Sequence, residues 1–215
     1  MEKKTRKPTQ KRSIEKYEKI VAAAYKLFNE QGYHNITTAD IAKEAGVATG
    51  SIYSYFTDKK DIFIEILRRI EDKFTAPTHD FWEGKRFIDL KDEASIKELF
   101  EVFIKLMMDY HDFSKKFHDD ITILDLLDPD IREFRRESDA RRQQRTLEVF
   151  KMVQIPFKNE ESVDVFLHYC NLLIDDVCHT ILYDTSVEKK NLYIDQAVDM
   201  LYKALQNLTV MPATT

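Results

Sequence analysis

Glycine and proline are scarce in this chain. Only 4 Gly and 5 Pro occur among its 215 residues, too few for a protein built from hairpin turns. Leu, Ile, Lys, Glu and Asp abound instead, and 33% of the residues are charged. A hydrophobic content of 43% is enough for a folded core. The composition therefore predicts a soluble all-α protein with one large or two small domains.

Cysteine is rarer still. Cys170 and Cys178 are the two in the chain, eight residues apart on one apolar helical stripe. Two helical turns separate them, which is too far for a disulfide. We interpret them as buried thiols in a reducing compartment. A redox switch is the alternative, although no basic neighbour that would lower either thiol pKa is evident.

Long apolar runs and catalytic signatures are missing too. The basic N-terminus is not followed by the apolar segment of a secretory signal, and no run of about 18 apolar residues could span a membrane. We therefore expect a cytoplasmic protein. The chain has no nucleophile elbow and no phosphate-binding glycine loop. We expect no enzyme activity and no cofactor.

Two pairs of side chains are potential metal ligands. His111 could act with His118, and Asp175 with His179. Neither pair has the multi-ligand spacing of a closed site. We therefore expect surface or hydrogen-bonded histidines and no metal site.

The net charge of −5 is divided unevenly along the chain. Residues 1–60 contain 12 Lys+Arg and 7 Asp+Glu, a net of +5, whereas the remainder contains 21 and 31, a net of −10. The N-terminal part can therefore meet phosphates. Residues 1–12 are basic without an apolar pattern, which predicts a flexible arm. The arm is either a solvated terminus or a segment that lies along DNA.

The segment 37–60 reads TTADIAKEAGVATGSIYSYFTDKK. It predicts two short helices joined by a tight turn at Gly46, followed by the start of a third helix. This is the layout of a helix-turn-helix DNA reader. Thr37 and Asp40 form a predicted capping box for the first short helix. The second, residues 49–55, presents small polar and phenolic side chains on the face it could turn to DNA.

Apolar periodicity and capping signals predict about nine helices. A helix over residues 13–31 precedes the two short ones. Six more are expected at residues 59–75, 95–111, 120–127, 129–153, 160–182 and 186–208. Residues 76–93 are expected to be irregular. Ser95 and Thr185 are the predicted caps of the helices that follow them.

From Ile20 to Leu67 the sequence resembles the TetR family, the tetracycline-repressor-like transcriptional regulators. The resemblance rests on these residues: Leu27-Phe28, Gly32-Tyr33, Thr37-Thr38, Asp40-Ile41-Ala42, Ala45-Gly46-Val47, Gly50-Ser51-Ile52-Tyr53, Tyr55-Phe56 and Asp58-Lys59. It implies a homodimer with a three-helix DNA-binding domain and a C-terminal ligand-binding domain. The expected division is a basic arm at 1–12, a DNA-binding domain at 13–58, and a ligand-binding and dimerisation domain at 59–215.

The resemblance also implies DNA contacts at particular positions. The candidate DNA-binding residues are Thr38, Thr49, Gly50, Ser51, Tyr53, Ser54, Tyr55 and Lys59. Base-edge contacts are expected from Thr49, Gly50, Ser51 and Ser54. Tyr53 is expected at a thymine methyl or a phosphate. Phosphate contacts are expected from Tyr55, Lys59 and Thr38. The chain departs from the family at Ala48, where a capping Ser is common. Thr49 is the alternative cap, a role that competes with a base contact.

The C-terminal domain is expected to enclose an effector and to dimerise through the outer faces of its last two helices. The candidate lining residues are Phe103, Met107, Tyr110, Phe117, Leu124, Phe166, Tyr169 and Cys170. Each could instead be a core residue. Their aromatic and Met-rich character favours a hydrophobic small molecule.

The sequence thus predicts a ligand-responsive DNA-binding regulator, a repressor that a hydrophobic small molecule releases from a palindromic DNA operator. The alternative is a helical homodimeric partner-binding protein without DNA-reading activity.

Overall fold

The computed structural model describes residues 8–83, 92–184 and 186–210, and within these ranges the regular elements are helices, with no named strand. The α-helices are α1 (Lys11–Gln31), α2 (Thr38–Glu44), α3 (Thr49–Ile52), α4 (Lys59–Glu83), α5 (Glu93–Asp109), α6 (Lys115–Leu127), α7 (Pro129–Val153), α8 (Glu160–His179) and α9 (Val187–Leu208). A 3₁₀ turn spans Tyr33–Asn35, and a π-helical segment, Thr180–Asp184, continues α8. The all-α prediction is confirmed. None of the described helices is long and apolar enough to cross a membrane.

Several helix starts follow their predicted capping residues. Thr37 Oγ1 accepts the Asp40 N–H at 3.2 Å, and the Asp40 carboxylate accepts the Thr37 N–H at 2.8 Å, so the capping box is confirmed. Asp128 accepts backbone N–H groups in the first turn of α7. Asn159 caps α8. These caps satisfy helix N–H groups that have no intrahelical partner.

Other boundaries were predicted wrongly. α3 ends at Ile52 rather than at Tyr55, and α4 continues to Glu83 rather than stopping at 75. Asp92, not Ser95, caps α5: its carboxylate accepts the Ala94 N–H at 3.0 Å and the Ser95 hydroxyl at 2.7 Å.

α6 begins at Lys115, five residues before its predicted start, because Ser114 caps it. Ser186 is the first non-helical residue before α9 and makes no capping bond with its side chain. The predicted cap Thr185 lies outside the described residues, as do residues 1–7 of the predicted arm and residues 84–91 of the predicted irregular segment.

Packing groups the chain into two compact units. Unit 1 comprises Met1–Lys73 with Phe113–Ser138, and unit 2 comprises Phe74–Asp112 with Asp139–Thr215. α6 and the first part of α7 therefore belong with the helix-turn-helix segment. The functional division at residue 58 stays a prediction, and it does not coincide with this grouping.

The core of unit 1 is aromatic. The Phe28, Phe63 and Phe117 rings meet at centroid distances of 5.3–6.4 Å, and all three side chains are fully buried. Tyr33 extends the cluster, with its ring 5.1 Å from that of Phe63. The Asp120 carboxylate accepts the Tyr33 N–H. α1, α4 and α6 thus share one core, and the helix-turn-helix segment belongs to the same unit.

The core of unit 2 is built by α5, α8 and α9, with Phe150 contributed by α7. Its buried side chains include Ile104, Phe166, Cys178 and Leu201. Cys178 is fully buried and Cys170 is part-buried. Desolvation raises the pKa of both thiols to about 12, which keeps them protonated and unreactive near neutral pH.

Candidate functional site

The turn between α2 and α3 is a Schellman motif centred on Gly46. The Val47 N–H donates to the Ala42 carbonyl at 3.0 Å, and the Gly46 N–H donates to the Lys43 carbonyl at 3.2 Å. Gly46 has φ +65°, a left-handed conformation that glycine adopts without steric cost. Two hydrogen bonds and one glycine thus fix the angle at which α3 leaves α2.

Buried side chains anchor α2 and α3 on the rest of unit 1. Ile41, Ala42 and Ile52 are at most 1% exposed. Phe56, which follows α3, is also buried and stacks on the Tyr17 ring of α1 at a centroid distance of 4.9 Å. The two short helices are therefore held by tertiary packing, since four- and seven-residue helices are not stable alone.

The opposite side of α3, together with the turn that follows it, is small, polar and solvent-facing. Thr49, Gly50 and Ser54 are exposed, and Ser51 is part-buried. A Cβ built on Gly50 would meet no atom within 4 Å. Ala48 is the residue that precedes the helix, and no side-chain cap bond is formed there. Thr49 is the first residue of α3 rather than its N-cap, and its side chain is exposed.

Two tyrosines link the polar face of α3 to its neighbours. Tyr53 is 44% exposed, and its Oη lies 3.1 Å from Thr38 Oγ1 at the start of α2. Tyr55 is part-buried, with its ring edge-on to Tyr17 at 5.9 Å. Tyr53 and Thr38 thus form one hydroxyl surface across α2 and α3, whereas the Tyr55 ring also packs on the scaffold.

Lys59 has a structural role that the sequence did not reveal. Its Nζ donates to the carbonyls of Tyr33 at 2.6 Å and Ile36 at 2.8 Å, and lies 4.1 Å from the Tyr33 ring centroid. Burial lowers the pKa of this ammonium. An ammonium has three N–H donors, and two of them go to these carbonyls. Through these two hydrogen bonds, Lys59 links the segment before α2 to the start of α4.

An ion-pair network joins α1 to α4 and was also missed. Arg69 makes a bidentate contact with Glu18 at 2.6 and 2.8 Å and reaches Glu65 at 3.1 Å. The Arg69 guanidinium holds the pKa of Glu18 below its usual value through these hydrogen bonds. A paired Glu and Arg 51 residues apart carry no local signal, which is why sequence periodicity could not find them.

The eight predicted effector-lining residues fall into two groups. Phe117 and Leu124 are buried in unit 1, where the Phe117 ring packs edge-on against Tyr25 at 5.8 Å. The other six belong to unit 2. Phe166 is buried in its core, with Phe103, Met107 and Cys170 part-buried against it. The structure thus brings four of the eight together in one cluster.

The remaining two lining candidates lie at the margin of unit 2. Tyr110 ends α5 and is part-buried, whereas Tyr169 is 54% exposed on α8. A surface cleft of about 340 Å³ runs between α5 and α9, bordered by Lys97, Glu98, Asp195 and Asp199 among others. None of the eight predicted residues lines this polar cleft.

The potential ligand residues named from the sequence are grouped differently in the structure. His118 belongs to unit 1, with its Nδ1 3.8 Å from Asp119 Oδ1. His111 belongs to unit 2, where its potential ligand atom lies near those of Asp175 and His179. The pairing of His111 with His118 is therefore replaced by a three-residue group.

The helix-turn-helix segment matches a known family. Residues 20–66 match the family described as "Bacterial regulatory proteins, tetR family". The HTH-type transcriptional regulator HbdR of Aromatoleum sp. (strain CIB) is 48% identical over 60 residues, 28% of this chain and 26% of that protein. The fatty acid metabolism regulator protein of Bacillus subtilis (strain 168) is 37% identical over 83 residues, 39% of each. The chain thus spans about a quarter to two fifths of the length of these curated relatives.

The likeness in fold extends over nearly the whole chain. A putative TetR-family transcriptional regulator from Mesorhizobium loti MAFF303099 superposes with a TM-score of 0.69, covering 92% of this chain and 98% of that one at 20% identity. The helix-turn-helix match and the shared all-α fold agree with the local geometry of α2, Gly46 and α3. Residues 20–66 thus match the TetR family, and the described chain shares its all-α fold with a solved regulator of that family.

Proposed function

We propose that the chain is a ligand-responsive DNA-binding transcriptional regulator, a repressor that a hydrophobic small molecule releases from a palindromic operator. It would act in the cytoplasm as a homodimer. The observation that carries the proposal is the exposed hydroxyl face of α3, held at a fixed angle by the Gly46 turn and by the buried Ile52.

Ser, Thr and Tyr hydroxyls both donate and accept hydrogen bonds. They can therefore contact phosphates and several base edges, but they discriminate among bases weakly. α3 carries no Arg or Gln for a bidentate base contact. We infer that α3 fixes the register and that DNA shape contributes much of the specificity.

Binding-site selection from random duplex DNA, with the purified protein at fixed moderate salt, tests DNA reading. We expect enrichment of a near-palindrome, because a two-fold dimer reads two half-sites. Failure to enrich any site, both without and with hydrophobic ligands, would favour the alternative of a partner-binding homodimer.

The same selection, repeated with two variants, tests the role of α3. Ser51→Ala should change the selected bases, because it removes a hydroxyl from the face turned to the base edges. Lys43→Ala, at an exposed position of α2, is the control. Loss of a charge that could reach only a phosphate should leave the selected bases as they were. An unchanged profile in Ser51→Ala would remove its reading role.

Exposed apolar side chains on α8 and α9 support the homodimer. Val165, Tyr169 and Leu172 recur at spacings of four and three on α8, and all three are exposed. Met200 on α9 is 61% exposed. Apolar faces of this kind in two adjacent helices match the surface that a symmetric four-helix contact buries. In a sedimentation experiment, Leu172→Lys should lower the mass of the protein from that of a dimer towards that of a monomer. Val102→Lys, at an exposed position of α5, is the control and should leave the mass unchanged.

The effector part of the proposal keeps Phe103, Met107, Phe166 and Cys170, which cluster in unit 2. Phe117 and Leu124 are left out because they belong to the core of unit 1. A Met- and Phe-rich surround accepts apolar ligands of varied shape. The relative named as a fatty acid metabolism regulator supports the same chemical class.

Release of the selected DNA by a panel of fatty acids and other apolar metabolites tests the effector. Met107→Lys should blunt release while leaving DNA affinity in the absence of ligand within about twofold, because a charge in the cluster opposes apolar burial. Val102→Lys, an exposed position on the same helix, is the matched control. An unchanged response in Met107→Lys would locate the effector elsewhere.

A further inference from the structure

Three side chains distant in sequence meet in unit 2. His111 follows the C-terminal end of α5, and Asp175 and His179 lie one turn apart near the end of α8. One potential ligand atom from each residue lies within 4.8 Å of the other two. The two imidazoles are part-buried and the carboxylate is exposed. Two nitrogens and one oxygen thus face one another without belonging to the DNA-reading surface.

The backbone fixes which nitrogen of His111 carries a proton. Nδ1 lies 2.6 Å from the Met107 carbonyl oxygen. A carbonyl oxygen only accepts, so Nδ1 must donate, and Nε2 is the unprotonated nitrogen of the neutral ring. Metal-binding histidines are usually oriented in this way, by donation of the second ring N–H to a backbone carbonyl.

The two residues on α8 lie close to each other and to His111. His179 Nδ1 lies 3.4 Å from Asp175 Oδ2, and the His111 and His179 rings meet edge to face at 5.1 Å. The His179 ring stacks on Tyr183 at 5.7 Å with an interplanar angle of 14°, which restrains its orientation. Tyr183 lies in the π-helical segment that follows α8, a feature frequent at functional sites.

We propose that His111, Asp175 and His179 form a site for one divalent transition-metal ion of the Zn²⁺ class. Imidazole ligands favour Zn²⁺ and its neighbours over Mg²⁺ and Ca²⁺, which prefer all-oxygen sites. Donors about 2.1 Å from a tetrahedral ion lie about 3.4 Å apart. Closing the cluster from its present 4.8 Å limit requires movement on the order of 1 Å. The Asp175 side chain is 62% exposed and has room to make it.

Three protein ligands leave one tetrahedral position for water or another small ligand. The bound ion would join the end of α5 to the end of α8 within unit 2. This inference departs from the expectation of no metal site, because the sequence pairs its histidines by proximity along the chain, whereas folding pairs residues 64 and 68 positions apart. It does not depend on DNA binding or on the apolar effector.

Zn²⁺ titration of the full-length, tag-free protein, after treatment with a chelator, tests the site. Competition with a chromogenic chelator should report one ion per chain. His111→Gln and His179→Gln should each weaken Zn²⁺ binding by at least the roughly 10- to 100-fold that outer-sphere partners alone are worth. His168→Gln removes an exposed imidazole from α8 and is the matched control. Equal weakening in His168→Gln, or no binding by the wild-type chain, would overturn the proposal.

A second measurement needs no variant and guards against loss of folding in the substituted chains. NMR of the histidine side chains during Zn²⁺ titration should shift the ring signals of two of the six histidines at one equivalent of metal. The ring signals of the other four histidines should not shift. Shifts spread over all six rings, or none, would show that the cluster does not bind the ion.

Discussion

The contact of Lys59 with the backbone leads to a prediction that separates a structural from a DNA-binding role. Lys59 Nζ donates to the carbonyls of Tyr33 and Ile36 at 2.6 and 2.8 Å. Lys59→Met keeps the apolar stem and removes both bonds. A hydrogen bond to a charged group contributes about 1.5–3 kcal/mol. Because Lys59 is only part-buried, we discount the pair to a total of about 2–3 kcal/mol.

Thermal unfolding measures the effect directly. For a chain of this size, a loss of 1 kcal/mol lowers Tm by about 2–4 °C. Lys59→Met should therefore lower Tm by about 5–10 °C. Lys43→Met is the matched control, since it removes the same charge from an exposed position on α2. Such surface changes usually stay within about 0.5 kcal/mol.

DNA binding by the same two variants gives the second half of the prediction. On the proposed function, the third N–H of Lys59 contacts at most one phosphate, so Lys59→Met should reduce the slope of log affinity against log salt by at most about 1. If Lys59→Met proves as stable as Lys43→Met, the two carbonyl contacts do not hold the segment before α2, and the reasoning fails.

Three further predictions follow from the same unit. Gly46→Ala should cost about 1–2 kcal/mol because of its positive φ alone, as a Cβ there meets nothing within 4 Å; chemical denaturation should show a smaller loss for Gly46→Asn. Gly50→Ala should leave Tm unchanged or higher, by up to about 1 kcal/mol of helix propensity, yet weaken operator binding; unchanged affinity would mean that DNA does not approach this backbone. Arg69 lowers the pKa of Glu18, so the stability from this pair is complete above the ordinary Glu pKa and is lost as pH falls through the lower folded value. Arg69→Gln should therefore show a shallower acid loss of stability below about pH 5; parallel pH curves for the two proteins would contradict it.

Local chemistry made much of the helix-turn-helix segment predictable. Thr37 and Asp40 are three residues apart, and Gly46 lies two residues after the end of α2, so their signals lie within one or two helical turns. The short length of α3 was not predictable in the same way. The helix ends at Ile52 and is followed by Tyr53 at φ −69°, ψ −4°. The buried residues Ile52 and Phe56 are nevertheless four positions apart, the spacing expected for one continuous helix.

Where two local signals compete, sequence alone chose the wrong one. Asp92 and Ser95 are both good capping residues, three positions apart. The structure uses Asp92 as the cap and lets the Ser95 hydroxyl donate to it. An ionised carboxylate is the stronger acceptor, which gives a physical reason for the outcome.

Contacts between distant segments were beyond the reach of the sequence pattern. Phe117 has the same apolar character as Phe103, yet it packs with the aromatic core of unit 1. The assembly of His111 with Asp175 likewise spans 64 residues. Periodicity identifies the buried face of a helix, but not the partner that buries it.

The interleaved course of the chain bears on how such proteins can be recombined. The backbone passes from one unit to the other after residues 73, 112 and 138, and two of these passages lie inside the continuous helices α4 and α7. A gene fusion that transplants residues 1–58 as a cassette would leave behind Phe117, which covers Phe28, and Asp120, which binds the Tyr33 N–H. A contiguous graft of this segment would therefore need α6 to be carried with it, whereas substitutions on the exposed face of α3 leave these contacts intact.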